Sequence, residues 1–198
     1  MFLNDSPPNQ ANAALYARDI ADDGYVSNFT RLWGWRSDLF EAFFNLPKRL
    51  MDETTLTVRE RAILACAIAA NLGDSYCALG WGARLASESS PTIAAAVLQG
   101  MKHSQLSARE NALATWAHKV VGDPNAITAG DVDRLGATGV TEQEIFDATL
   151  FVAFRLAFST VTDALGARPD RELVATVPDA VRDAVAYGRS VSEQPSRR

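Results

Sequence analysis

Apolar side chains return along this chain at intervals of three and four, the repeat of helices that bury one face. The spacing predicts a helix over about 10–22, stopped by Gly24, and a helical region over about 28–50 bearing Leu32, Trp33, Phe40, Phe43, Phe44 and Leu50. Three further starts carry a Ser/Thr-x-x-Glu capping box, in which hydroxyl and carboxylate satisfy orphan amides reciprocally. They are Thr57 with Glu60, Ser107 with Glu110, and Thr141 with Glu144. Ser90-Pro91 reads as an N-cap followed by proline, with Gly100 as the stop. A short helix is expected over about 128–137, ended by Gly139. From Ile145 to Leu165 the chain is apolar nearly all round, the pattern of a helix at a bundle centre or beneath a subunit interface. No alternating run flanked by hairpin turns appears, so the expected class is all-α. The segments Leu56–Ala62 and Leu106–Ala112, fifty residues apart, resemble each other. They are either two good helix starts or a duplicated helical unit.

Composition narrows the function classes. The 198 residues suit one functional domain, and 19 basic against 24 acidic side chains give a net charge of −5 with no block of Lys or Arg. Neither nucleic acid nor an anionic membrane surface is an expected partner. Asp147, Arg155 and Asp163 interrupt the most apolar segment, and no run reaches ~18 uninterrupted apolar residues, so no span is expected. The first residues lack a secretory signal, which empties the Asn28-Phe29-Thr30 sequon of meaning. Two cysteines and two histidines make a disulfide scaffold or a zinc site improbable. A reduced, cytoplasmic protein without metal or cofactor is the expectation. His118 and His103 are assigned to the surface and to a loop.

Chemistry concentrates in Asn71-Leu-Gly-Asp-Ser-Tyr-Cys77-Ala-Leu-Gly-Trp81-Gly82. Gly73 ends one helix and Asp74 caps the next, which puts Cys77 at the third position of the first turn. Unpaired amides there favour thiolate, whereas the Asp74 carboxylate disfavours it; sequence leaves the balance open. A small buried Cys packing in the core is the plainer reading, and Cys66, amid Ala and Ile, is assigned to the core.

This stretch, with Leu56–Leu85 and Leu106–Asp170 around it, resembles the alkylhydroperoxidase D / carboxymuconolactone decarboxylase family in its peroxidase-related branch. Arg-Glu-Arg before an Ala-rich helix, Tyr-Cys opening the next, Thr162-Asp-Ala-Leu-Gly166-Ala-Arg-Pro169 and the aromatic segment Arg31–Phe43 carry the likeness. The resemblance implies an AhpD-like helical bundle that assembles into dimers, trimers or hexamers and acts on a small molecule. Residues 1–50 would be a helical extension packed on a core of 51–188 with a C-terminal helix, and 189–198 a flexible tail. The family's active site is a C-x-x-C-x-x-x-H motif with an upstream Glu as proton relay. Here Cys77 matches the second, peroxide-reactive cysteine. Asp74 replaces the first, Trp81 replaces the His, and Ala62 stands where the relay Glu would; Glu60 is already used by its capping box.

A two-cysteine disulfide cycle is therefore not expected, and Cys66 is a weak resolving candidate. Three functions remain. In the first, Cys77 is a thiol nucleophile reducing peroxide or sensing redox state, Asp74 is the nearby acid/base, and Tyr76 and Trp81 are pocket walls. In the second, the scaffold binds a small molecule without catalysis. In the third, Asp74 drives a lyase or isomerase acting on a ring carboxylate. Arg155 demands a partner inside its apolar helix. It reaches Asp74 or a ligand carboxylate, or else pairs with Asp147, Asp163 or another subunit. Trp33, Trp35, Phe40, Phe43 and Phe44 read mainly as packing, with a pocket roof as the alternative.

Overall fold

All three capping boxes close in the computed structural model, which describes residues 1–193. Glu60, Glu110 and Glu144 each accept the amide of their N-cap at 2.8–2.9 Å, and each N-cap hydroxyl accepts in return at 3.1–3.2 Å. They open α4 (Val58–Leu72), α7 (Ala108–Gly122) and α9 (Glu142–Ala164). Before them come α1 (Gln10–Asp23), α2 (Asn28–Trp33) and α3 (Ser37–Glu53). Between them lie α5 (Ser75–Glu88), α6 (Pro91–Leu98) and α8 (Ala129–Gly136); α10 (Arg171–Thr176) and α11 (Asp179–Ala184) close the described chain.

The region expected as one helix over 28–50 is two helices, broken by a 3₁₀ turn at Gly34–Arg36. The break has a tertiary cause: Gly34 lies so close to Tyr16 and Ser6 that a Cβ there would overlap the Tyr16 hydroxyl. α3 also runs past residue 50, across the boundary drawn there. The expected C-terminal helix is two short ones.

The two similar segments meet. Arg59 of the first donates to Glu110 of the second at 2.6 Å, and Arg109 of the second donates to Glu60 of the first at 2.5 Å. Such reciprocal exchange is what two equivalent units related by a local two-fold make, and it favours the duplicated-unit reading. Arg109 also grips Glu144 at 2.7 Å, so one guanidinium ties the starts of α4, α7 and α9 together.

The helix apolar on every side is α4 rather than α9. Ala62 through Ala69 are each at most 2% exposed, because α4 lies between two apolar clusters. One gathers Ile63, Cys66, Ala78, Leu85, Leu98 and Val181 from α4, α5, α6 and α11. The other gathers Leu64, Ile68, Leu113, Trp116, Phe151 and Val152 from α4, α7 and α9. Along α9, Phe146 is 65% exposed. By length and composition α9 could cross a membrane; here it packs against α3, α4, α7 and α8.

The chain beyond 188, expected to be loose, is held as far as it is described. Arg189 donates its amide to Ser75 Oγ at 3.0 Å and accepts from it at 2.8 Å, and Ser192 donates to the Pro169 carbonyl at 2.9 Å. Gly188 makes this possible: its φ is +74°, and a Cβ would overlap the Gly73 carbonyl oxygen. Residues 194–198 of the expected tail lie outside the described residues.

Candidate functional site

The punctuation at the start of α5 builds the site. Gly73, with φ of +71°, ends α4 in the left-handed conformation that favours glycine. Asp74 then caps α5, its Oδ1 accepting the Cys77 amide at 2.9 Å. This fixes Cys77 in the first turn, as the sequence predicts. Asp74 is fully buried, and its second oxygen, Oδ2, accepts from Ser159 Oγ at 2.6 Å.

Ser159 and Arg155 stand one turn apart on α9 and face α5 together. Arg155 Nη2 donates to Cys77 Sγ at 3.0 Å, and Ser159 Oγ lies 3.8 Å from the same sulfur. A hydroxyl has one proton, and the short contact with Asp74 takes it. The lone pairs of Ser159 are therefore left to accept from the thiol. Cys77, Ser159 and Asp74 form a chain along which a proton can move from sulfur to a carboxylate. Ser159 was not foreseen; its only sequence signal is its four-residue spacing from Arg155.

Of the carboxylates of this chain, neither Asp74 nor Asp147 nor Asp163 is the partner of Arg155. Among the described residues its one hydrogen bond goes to the Cys77 sulfur. Its guanidinium lies 5.2 Å from the Trp81 ring centroid and 5.6 Å from that of Phe158, cation–π contacts that replace a counter-ion. Asp147 instead accepts from Gln143 at 2.8 Å.

The competition left open at Cys77 resolves toward the thiol. Burial is the largest influence, and with the Asp74 carboxylate it pushes the group up to about 12, while Arg155 pulls it down. Cys66 is sealed at 0% exposure and burial pushes it up as well. His118, expected at the surface, is half-buried, and burial lowers its pKa.

Two cavities adjoin this group. The first, of about 460 Å³, exposes Cys77, Tyr76, Trp81, Arg155, Phe29 and Phe44. The second, of about 520 Å³, opens on the α3 side and shares Phe44, Trp81 and Arg155 with the first. Tyr76 and Trp81 line the first of these cavities, and Asp74 lines neither. Tyr76 is also a tie. Its hydroxyl donates to Asp170 Oδ2 and accepts from the Phe29 amide at 3.4 Å, while Asp170 Oδ1 accepts from the Asn28 amide at 2.9 Å. Asp170, fully buried and unforeseen, so clamps the start of α2 onto α5. That clamp holds the aromatic roof, in which Phe43 and Phe44 each lie 4.6 Å from the Phe158 ring and Phe40 lies 4.2 Å from Phe44. Among the described residues no three His, Cys, Asp or Glu stand together as a metal site needs.

No protein-family model and no curated protein matches the chain. Solved structures do. An AhpD-core, uncharacterized peroxidase-related protein from Ralstonia eutropha JMP134 is 25% identical, with 88% of this chain covering 97% of that one at a TM-score of 0.76. An uncharacterized peroxidase-related protein from Silicibacter sp. TM1040 is 21% identical over 85% of this chain and 89% of that one, at 0.74. The debrominase Bmp8, solved as a cysteine-to-alanine variant with 2,3,4-tribromopyrrole, is 15% identical over 93% and 98%, at 0.72.

Proposed function

The chain is an all-helical member of the AhpD-like fold family, and on that premise we propose that it is a one-cysteine thiol enzyme acting on small organic hydroperoxides, with Cys77 as nucleophile. The observation that carries the reading is the Arg155 guanidinium donating to the Cys77 sulfur in the wall of a cavity. The sulfur attacks the distal peroxide oxygen and the O–O bond breaks. Cys77 becomes a sulfenic acid and the alcohol leaves, so that Cys–SH + ROOH gives Cys–SOH + ROH. The thiol proton passes through Ser159 toward Asp74 and returns to the alkoxide. Arg155 stabilises first the forming thiolate and then the departing oxygen. With Cys66 sealed away from both cavities, two equivalents of a small external thiol restore Cys77, yielding water and a disulfide.

Asp74 acts through Ser159 and does not touch substrate, which weighs against the lyase or isomerase reading. The flat faces of Trp81, Phe29 and Phe44 suit an aromatic substrate, so cumene hydroperoxide is the probe of choice. The ligand seen on Bmp8 makes a brominated pyrrole the second compound to assay. With excess dithiothreitol, Cys77→Ser is expected to lose about 100-fold or more in turnover, and Ser159→Ala about tenfold or more. Cys66→Ala should match the parent. A Cys77→Ser protein as active as the parent would remove the thiol chemistry and leave a binding protein. We further propose a homo-oligomer, with its seam over the exposed Leu39 and Leu46 of α3 and Phe146 of α9.

A further inference from the structure

Arg155 sits in the wall between the two cavities and lines both. One of its N–H groups goes to Cys77, and no other acceptor for it lies among the described residues. A guanidinium presents five donors in a planar fork matched to a carboxylate. Phe40, Met51, Phe151 and Phe158 wall the α3-side cavity around it, and its other polar lining residues are Arg18, Glu41, Asn45 and Lys48. At its mouth Glu41 lies 3.9 Å from Arg18 and Lys48 is paired with Asp52, all on exposed side chains. Those exposed charges are drawn into ion pairs, whereas Arg155, further in, has two aromatic faces and a sulfur but no carboxylate among the described residues.

We infer that the α3-side cavity is a second binding site, for an apolar carboxylic acid, and that its occupant suppresses Cys77. A carboxylate bound to Arg155 from this side competes with the sulfur for the guanidinium charge and adds a negative charge beside it. Both effects hold Cys77 in its protonated form. Only one cation serves the two sites, so coupling between them follows by linkage: the acid binds best when Cys77 is neutral, and thiolate formation expels it. The chain length of the acid is set by the 520 Å³ cavity, and its charge by the guanidinium. A multiply charged inorganic anion fits poorly, because the apolar walls would strip its hydration without replacing it. The suppression rests on the thiol reading proposed above; the binding does not.

The test uses octanoate and its uncharged counterpart octanamide on the full chain. Iodoacetamide alkylation of Cys77 is followed by mass spectrometry at pH 9, each rate taken relative to the same variant without ligand. Saturating octanoate is expected to slow Cys77 alkylation about fivefold or more, and octanamide to leave it unchanged. Calorimetry should show octanoate binding to Cys77→Ala and none to Arg155→Leu. Met51→Trp, which fills the α3-side cavity, should abolish the heat, and Leu173→Trp, at a residue lining the cavity at Cys77, should preserve it. Equal slowing by the amide overturns the inference. So does binding that survives Met51→Trp but not Leu173→Trp, or no binding to Cys77→Ala. Loss of turnover chemistry with these heats intact would sink the thiol reading alone, and intact turnover without octanoate binding would sink this one alone.

Discussion

At Cys77 three forces meet whose balance decides reactivity. Burial penalises the thiolate, Asp74 at the N-cap three residues earlier repels it, and Arg155 attracts it. With the group pushed up to about 12, the thiolate population at pH 7 is small and grows tenfold per pH unit. Alkylation of Cys77 is therefore expected to rise log-linearly from pH 7 to 10, with no plateau, as measured by peptide mass spectrometry. Arg155→Leu should lower the whole line, because removing the cation raises the thiol further. A plateau near pH 8 would mean that the guanidinium outweighs burial. Cys77 and its cap were legible in the sequence because Gly73-Asp74 is local punctuation: a left-handed stop, then a carboxylate that wants amides. Ser159 and Asp170 were not legible, since each acts on a residue more than eighty positions away. Arg155 was singled out for the right reason, an inward charge, but none of the three in-chain carboxylates, Asp74, Asp147 and Asp163, is its partner. Opposite charge is the obvious guess from sequence, whereas two aromatic faces and a sulfur suffice once the fold brings them together.

Among the elements, helix starts were the most legible feature, because a capping box is a four-residue event that needs nothing from the rest of the fold. What joins them is not local. Arg59 and Arg109 occupy matching positions in two similar segments, and only the packed structure shows that they exchange partners. Arg109 is the critical one, since Glu60 and Glu144 are both at 6% exposure and lean on it. Arg109→Met should destabilise the protein by about 3–5 kcal/mol, by stranding two buried carboxylates, whereas Arg59→Met should cost less, because its pair with Glu110 is more exposed. Urea denaturation of the two variants gives the comparison. The break between α2 and α3 was missed because the apolar spacing runs straight through it; the close approach of Gly34 to Tyr16 and Ser6 overrides a local helical preference.

Across the whole molecule the first 53 residues roof the site, and the segment after Tyr187 straps the start of α5. Beneath the strap, Asp163 is pushed up to about 6 by burial first and by Asp74 second, against the pull of Arg189. A carboxyl whose folded pKa exceeds its unfolded value favours the native state when protonated. Its contribution is fully present below about 4 and is lost as pH rises through about 6. Asp163→Asn should therefore raise the melting temperature at pH 7.5 by about 3 °C, on the order of 1 kcal/mol after solvent screening, and leave it unchanged at pH 3.5. Leu39 and Leu46 on α3 and Phe146 on α9 stay 47%, 58% and 65% exposed. Light scattering is expected to return a multiple of the 21.4 kDa chain mass, and Phe146→Lys to reduce it. The all-α class was readable from periodicity alone, but which helix lies at the centre was not. α9 looked the more apolar, yet α4, built from small side chains, is the one that fits between two clusters.

On the proposed reading, the Cys77 sulfur held by Arg155 is the atom that meets the peroxide. The most direct test is to treat the protein with one equivalent of cumene hydroperoxide in the presence of dimedone and to map the adduct by mass spectrometry. A single sulfenic-acid adduct on Cys77 is expected, strongly diminished in Arg155→Leu, with Cys66 unmodified. A parent protein that consumes no peroxide and carries no adduct on Cys77 would contradict that reading.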